Sequence, residues 1–315
     1  MSFAFVFPGQ GSQSVGMLAS LAAAEPLVQE TFAESSEVLG YDLWNLCQQG
    51  PEEDLGATER TQPAMLTAGV ATWRVWRKHG GALPSAMAGH SLGEYTALVC
   101  SGALDFRTAV ALVQFRGQVM QAAVPAGQGA MAAILGLDDA DVEAACREAA
   151  QGYTVQAANF NSPGQVVIAG SSAAVARATE IAMVKGAKRT IPLPVSVPSH
   201  TTMMRPAAER LATKLNDIAF ATSEVRDIYT VEVRKHGDAA SIRAALVEQL
   251  VKPVRWTQTI QAMIAGGAKT IIECGPGRVL TALNRRIERR RDVAVLAIED
   301  AESLQQALQA TKGGT

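Results

Sequence analysis

Cysteine, aromatic residues and surplus charge are all scarce in this 315-residue sequence. The four cysteines, Cys47, Cys100, Cys146 and Cys274, stand far apart, with no C-x-x-C pair and no histidine at metal-ligand spacing. That pattern indicates neither a disulfide framework nor a zinc site, and the cysteines read as small core residues. Lys and Arg number 28 against 30 Asp and Glu, a formal charge of −2, so no bulk positive field draws the chain to nucleic acid or anionic lipid. The longest charge-free stretches, residues 1–24, 117–137 and 149–176, are each interrupted by Gly, Pro and Gln, and none reads as a membrane span. The opening Met1-Ser2-Phe3-Ala4-Phe5 has no basic segment and runs straight into a strand-like stretch. No signal peptide is therefore expected, and a cytoplasmic address follows. What is present is 48% hydrophobic and 18% charged, enough for one large core or two modest ones and too apolar for a disordered chain.

Short apolar runs alternate with amphipathic stretches from end to end, the pattern of a parallel sheet wrapped by crossover helices. The expected class is α/β. Residues 3–7 form an apolar strand that stops at Pro8-Gly9-Gln10-Gly11, after which Ser12 is placed to cap a helix running through Leu21. Helical spacing over 64–76 ends at His79-Gly80-Gly81, and 85–89 reads as a short buried strand. Between about 125 and 198 the order is strand 131–137, helix 141–150, strands 154–158 and 166–169 linked through 159–164, helix 172–184 and strand 189–195. That is the order of a ferredoxin-like unit. The chain is thus expected to form a large α/β subdomain from residues 1–124 and 199–315, carrying an inserted small subdomain at 125–198. A helix at 205–215 and strands near 228–233, 270–273 and 293–297 complete the large part.

Gly89-His90-Ser91-Leu92-Gly93 matches G-x-S-x-G with a buried strand before it and a helix after it. In that setting the glycines allow a sharp bend that thrusts out the Ser91 hydroxyl, while the Leu92 N–H at the helix start faces developing negative charge. A serine nucleophile needs a base, and only four histidines are available. His79 and His236 sit in polar, glycine-containing segments and read as solvated turn residues. His90 adjoins the serine, where neighbouring side chains diverge. His200 remains, in Pro198-Ser199-His200-Thr201, where the small subdomain returns to the large one and a cleft is expected. Spacing selects no acid to orient its imidazole; a backbone carbonyl would serve. Arg116 has Ala109, Leu112, Val113, Val119 and Met120 as its helical neighbours, which turns its guanidinium to the apolar face. A buried arginine demands an anion. That anion is either an internal carboxylate such as Glu94 or the free carboxylate of a substrate held by the fork.

Phe7-Pro8-Gly9-Gln10-Gly11-Ser12-Gln13, Gly89-His90-Ser91-Leu92-Gly93-Glu94, Arg116, Asn161-Ser162-Pro163-Gly164-Gln165, Pro198-Ser199-His200 and Gly275-Pro276-Gly277 occur in one order along nearly the whole chain. Together they resemble the malonyl-CoA:acyl carrier protein transacylases of bacterial fatty acid synthesis. The resemblance implies a hydrolase-like α/β body carrying a ferredoxin-like subdomain, and transfer of a malonyl group through a seryl ester on Ser91, with His200 as base and Arg116 on the malonyl carboxylate. It implies an oxyanion hole shared by Gln10 and the Leu92 N–H, and a main-chain carbonyl of the segment 249–253, Gln249 foremost, orienting the histidine. Malonyl-CoA and holo-acyl carrier protein are the implied substrates, with no bound cofactor, no metal and a monomeric enzyme. The family's carrier is acidic, so Arg285 to Arg291 and Lys185 to Arg189 are the candidate landing surfaces. Tyr229-Thr230 stands where many relatives have Asn-Asn, and Ser199 lies where related domains discriminate between extender units. The elbow alone suits an esterase or thioesterase equally well, but such an enzyme has no need of Arg116. A relative that loads the carrier of a polyketide synthase or a malonate decarboxylase shares the whole motif set, and a catalytically idle carrier-binding scaffold does not require it.

Overall fold

A computed structural model describes residues 2–195, 197–290 and 292–312. Met1, Ser196, Arg291 and residues 313–315 lie outside the described residues, so the basic run at 285–291 is followed only to Arg290. Among the described residues nine strands form two sheets: β1 (Phe3–Phe7), β2 (Ala86–Gly89), β3 (Gly129–Leu135), β4 (Val155–Ser162), β5 (Gln165–Ser171), β6 (Arg189–Pro192), β7 (Asp227–Tyr229), β8 (Thr270–Cys274) and β9 (Ala294–Ile298). The larger sheet has the order β7-β2-β1-β8-β9 and is parallel throughout. Its central strand, β1, is buried along its whole length, as a parallel strand covered on both faces must be. On one face Phe5 packs edge-on against Trp73 and Trp76, at 5.4 and 5.1 Å between ring centroids, from the helix Thr58–Lys78. On the other, Ala4 and Val6 join Trp256 and Ile260 of the helix Trp256–Ala265. Truncating one of these aromatic side chains to Ala costs about 3–5 kcal/mol.

The smaller sheet is antiparallel with the order β4-β5-β3-β6. Two helices, Asp139–Ala150 and Ser172–Val184, cover one face and enclose a core around Ile134, Val142, Phe160, Ile168 and Val175. This is the ferredoxin-like strand order expected from the sequence, on the expected α/β body. Among the described residues no helix is long and apolar enough to cross a membrane.

Four local expectations need correction. Ser12 caps no helix: residues 15–18 form turns, and the helix begins at Ala19. The Gly16 N–H is spent on the Cys47 carbonyl, at 2.8 Å, so this stretch is tied to the helix Leu43–Gln49 rather than to its own next turn. The segment 159–164 is largely strand: it pairs with β5, and on its other edge Val254 accepts from Phe160 N and donates to Ala158 O, both at 2.8 Å. The expected strand at 189–195 ends at Pro192: one further bond, Leu193 N to Met131 O at 3.0 Å, follows, and the chain then bends at Pro194. The expected strand at 228–233 stops at Tyr229, where Thr230 N bonds back to Arg234 O at 2.7 Å and the chain reverses.

Candidate active site

The site is built on the bend between β2 and the helix Gly93–Cys100. Backbone crowding there leaves no room for side chains at Gly89 and Gly93: a Cβ on Gly93 would lie 2.0 Å from the Phe7 carbonyl oxygen, and one on Gly89 would lie 1.7 Å from the Gly93 carbonyl carbon. Ser91 sits at the apex with φ of 52°, in the left-handed region that a serine adopts only when its surroundings impose it. The loop after β1 presses against the same bend, since a Cβ on Gly9 would meet the His90 carbonyl oxygen at 2.4 Å. That contact brings Gln10 to the wall of the pocket holding Ser91 and Leu92.

His200 Nε2 lies 2.8 Å from Ser91 Oγ. Its Nδ1 faces two main-chain carbonyls, Gln249 O at 2.8 Å and Lys252 O at 3.2 Å. Both are acceptors only, so Nδ1 carries the proton and Nε2 is free to accept one from the serine. Burial, reinforced by the Arg116 charge, pushes the His200 imidazole down to about 3, which keeps it neutral across the working range of pH. The short helical turn after His200 is capped by the Thr201 hydroxyl, which leaves the imidazole uncommitted to capping.

Arg116 is 1% exposed on the helix Phe106–Ala123, but its hydrogen-bond partners are neutral. Nη1 donates to Gln62 Oε1 and Nη2 to Gln249 Oε1, both at 2.8 Å, and Nη2 also reaches Ser91 Oγ at 3.2 Å. Nε has no partner. Glu94, the internal acid considered from the sequence, makes no ion pair with the guanidinium among the described residues; it is bonded to the Gln249 amide and to His236. A buried cation held by amide oxygens, beside a hydroxyl and its base and separated from Glu94 by the Gln249 amide, is a charge with no direct acid partner among the described residues, and it faces a pocket of about 100 Å³. That pocket shares Gln10, Leu193 and Val195 with an open groove of about 790 Å³.

The structure thus brings Ser91, His200, Arg116, Gln10, Leu92 and Gln249 together. Two residues of this environment were given no role by the sequence, Gln62 unremarked and Asn161 quoted only within a motif. Gln62 is 1% exposed and holds Arg116; its one signal was a polar residue on an otherwise buried helical stretch. Asn161 Oδ1, from the small sheet, lies 2.8 Å from His90 Nε2. His236 is a correction: its side chain is 3% exposed and bonded to Glu94, not a solvated turn residue. His79 is half-buried and engages Glu25. Both basic runs are on the surface and partly engaged: Lys185 pairs with Glu148, Arg290 with Glu288, and Arg286 donates to Gln165. Among the described residues no group of three or more His, Cys, Asp or Glu is arranged to hold a metal ion.

The acyl transferase domain family matches residues 4–307. The malonyl CoA-acyl carrier protein transacylase of Salmonella typhimurium is 58% identical over 285 residues, which is 90% of this chain and 92% of that protein. The solved transacylase of the same name from Coxiella burnetii is 51% identical and superposes with a TM-score of 0.96, covering 98% of this chain and 97% of the other. A malonyl-transacylase solved in complex with a type II PKS acyl-carrier protein is 54% identical with a TM-score of 0.96, over 98% of this chain and 100% of that one. With an elbow serine, a buried histidine and an inward arginine on this fold, the chain belongs to the acyl transferase domain family and, within it, to the malonyl CoA-acyl carrier protein transacylases.

Proposed function

We propose that this chain transfers the malonyl group of malonyl-CoA to the phosphopantetheine thiol of an acyl carrier protein in fatty acid synthesis. The observation that carries the reading is the Arg116 guanidinium, buried with no acid partner among the described residues and 3.2 Å from Ser91 Oγ, which offers a place for a substrate carboxylate next to the acylated atom. The Ser91 proton passes to His200 Nε2 as Oγ attacks the thioester carbonyl. The Leu92 N–H and Gln10 hold the oxyanion, and the C–S bond breaks as the CoA sulfur takes the proton back from His200. The carrier's thiol then gives its proton to the same nitrogen, attacks the seryl ester, and leaves Ser91 protonated again. Gln249 O keeps the imidazole in the required tautomer, and the fixed Arg116 clamp holds the acyl group where a thiol outcompetes water.

The groove leading from Gln10 past Leu193 is read as the path of the pantetheine arm. Lys185 to Arg189 and Arg285 to Arg290 are read as the basic landing surfaces for the acidic carrier. Separate cores support the division into residues 1–124 with 199–315 and the insertion at 125–198. A cytoplasmic monomer completes the reading. Intact-mass spectrometry after incubation with malonyl-CoA tests it: the wild-type chain gains one malonyl group and Ser91→Ala gains none, whereas equal labelling of both proteins removes Ser91 from the mechanism.

A further inference from the structure

Glu94 and His236 are buried, titratable and without a part in the chemistry just described. The Glu94 side chain is fully buried, its Oε1 2.7 Å from His236 Nε2 and its Oε2 accepting from Gln249 Nε2 at 2.7 Å. A carboxylate accepts and never donates, so it decides which end of the Gln249 amide it meets. With the amide nitrogen held by Glu94 and by the Ser91 carbonyl, at 3.1 Å, the amide oxygen is left facing Arg116 Nη2 at 2.8 Å. The opposite rotamer would set amide N–H groups against guanidinium N–H groups. The backbone carbonyl of this same Gln249 orients His200.

The loop after β7 delivers His236 to this place. Thr230 Oγ1 accepts from the backbone N–H groups of Glu232 and Arg234, Val233 is held at φ of 67°, and His236 N returns to Ile228 O at 2.8 Å. A β-branched residue takes that left-handed backbone only when a turn compels it. Thr230 therefore tightens the turn that aims His236.

We infer that Glu94 and His236 are positioning residues for the malonyl clamp: the imidazole fixes the carboxylate, the carboxylate fixes the Gln249 amide, and the amide fixes the Arg116 fork. This rests on the proposed malonyl transfer. Without the His236 donor, one buried oxygen of Glu94 is left unsatisfied and the carboxylate turns, releasing the amide. The damage then falls on recognition of the acyl carboxylate and spares acyl transfer in general.

The test compares wild type, His236→Leu and His236→Gln for transfer from malonyl-CoA and from acetyl-CoA, with thermal unfolding of each. His236→Leu is expected to lower kcat/KM for malonyl-CoA by about 10- to 100-fold and that for acetyl-CoA by less than about threefold, while His236→Gln, which keeps an N–H toward Glu94, recovers malonyl transfer to within about threefold of wild type. Equal losses on both thioesters, or a Gln variant no better than Leu, overturn the inference. Should His236→Leu fail to fold, Thr230→Val loosens the turn instead. It is expected to reduce the malonyl preference by about three- to tenfold, and an unchanged preference overturns the inference. A wild-type chain that takes up no malonyl group overturns the functional reading and this inference with it; an active wild type with the wrong variant pattern overturns the inference alone.

Discussion

Replacing Arg116 by Met keeps an unbranched stem over the Tyr95 ring, which lies 5.4 Å from the guanidinium carbon, and removes only the charged fork. A guanidinium buried to 1% exposure and held by two amide oxygens is already desolvated and oriented, so a substrate carboxylate gains the full strength of a charge-assisted bond when it arrives. Breaking such a buried pair costs about 3–5 kcal/mol, of which each 1.4 kcal/mol is a factor of ten. The expected loss in kcat/KM for malonyl-CoA is therefore about 100- to 1,000-fold or more. Acetyl-CoA presents no carboxylate, and to it the buried cation is an unpaired charge beside an apolar methyl group. Its kcat/KM is expected to hold or rise. The same change acts on the base: burial first, then the Arg116 charge, holds His200 low, so the variant's imidazole becomes more basic and the acid limb of its pH–rate profile moves upward. The assay is transfer to carrier protein from each thioester between pH 3 and 9, with thermal unfolding as a control, since Gln62 and Gln249 each lose a buried donor. Equal losses on the two thioesters, or an acid limb that stays in place, refute the reasoning that Arg116 is both clamp and electrostatic neighbour of the base.

Acid should weaken the fold through His200. Its ordinary value of 6.5 falls to about 3 in the folded protein, so between these limits the unfolded chain takes up a proton that the native site refuses. The contribution is complete above about pH 6.5 and is lost as pH falls, at up to about 1.4 kcal/mol per unit. Melting temperature should therefore drop less steeply from pH 6.5 to 4 in His200→Gln than in wild type, and parallel curves would exclude this source. At the elbow, Gly93→Ala sets a methyl group 2.0 Å from the Phe7 carbonyl oxygen, backbone that has no rotamer with which to yield. That variant should lose its cooperative unfolding transition by circular dichroism, and a wild-type melt would show that the bend has room to relax.

Periodicity and local turn chemistry are short-range signals, and what they govern was legible. The alternation of apolar runs with amphipathic stretches gave the α/β class, and the strand and helix order at 125–198 gave the ferredoxin-like unit, because each element's buried face is set by its own residues. The elbow was legible for the same reason, since its glycines, serine and flanking strand and helix are contiguous. Helical spacing alone turned Arg116 inward. Where backbone groups found partners from distant segments, boundaries moved: Gly16 bonded to Cys47, and Phe160 to Val254.

The sequence by itself thus determined which groups were available for acyl chemistry and on which kind of element each stands. Only the tertiary structure decided what they meet. Ser91 and His200 are 109 positions apart and come within 2.8 Å, and Gln249 reaches 133 positions back to hold Arg116 in place of the acid that the sequence offered as Glu94. His236, read from its polar neighbours as a surface residue, is buried against Glu94 across 142 positions. The physical reason is one of range: the orientation of a side chain on its own helix or strand is fixed by backbone geometry over a few residues, whereas its hydrogen-bond partner is fixed by how crossover connections stack remote elements, and no local pattern encodes that stacking.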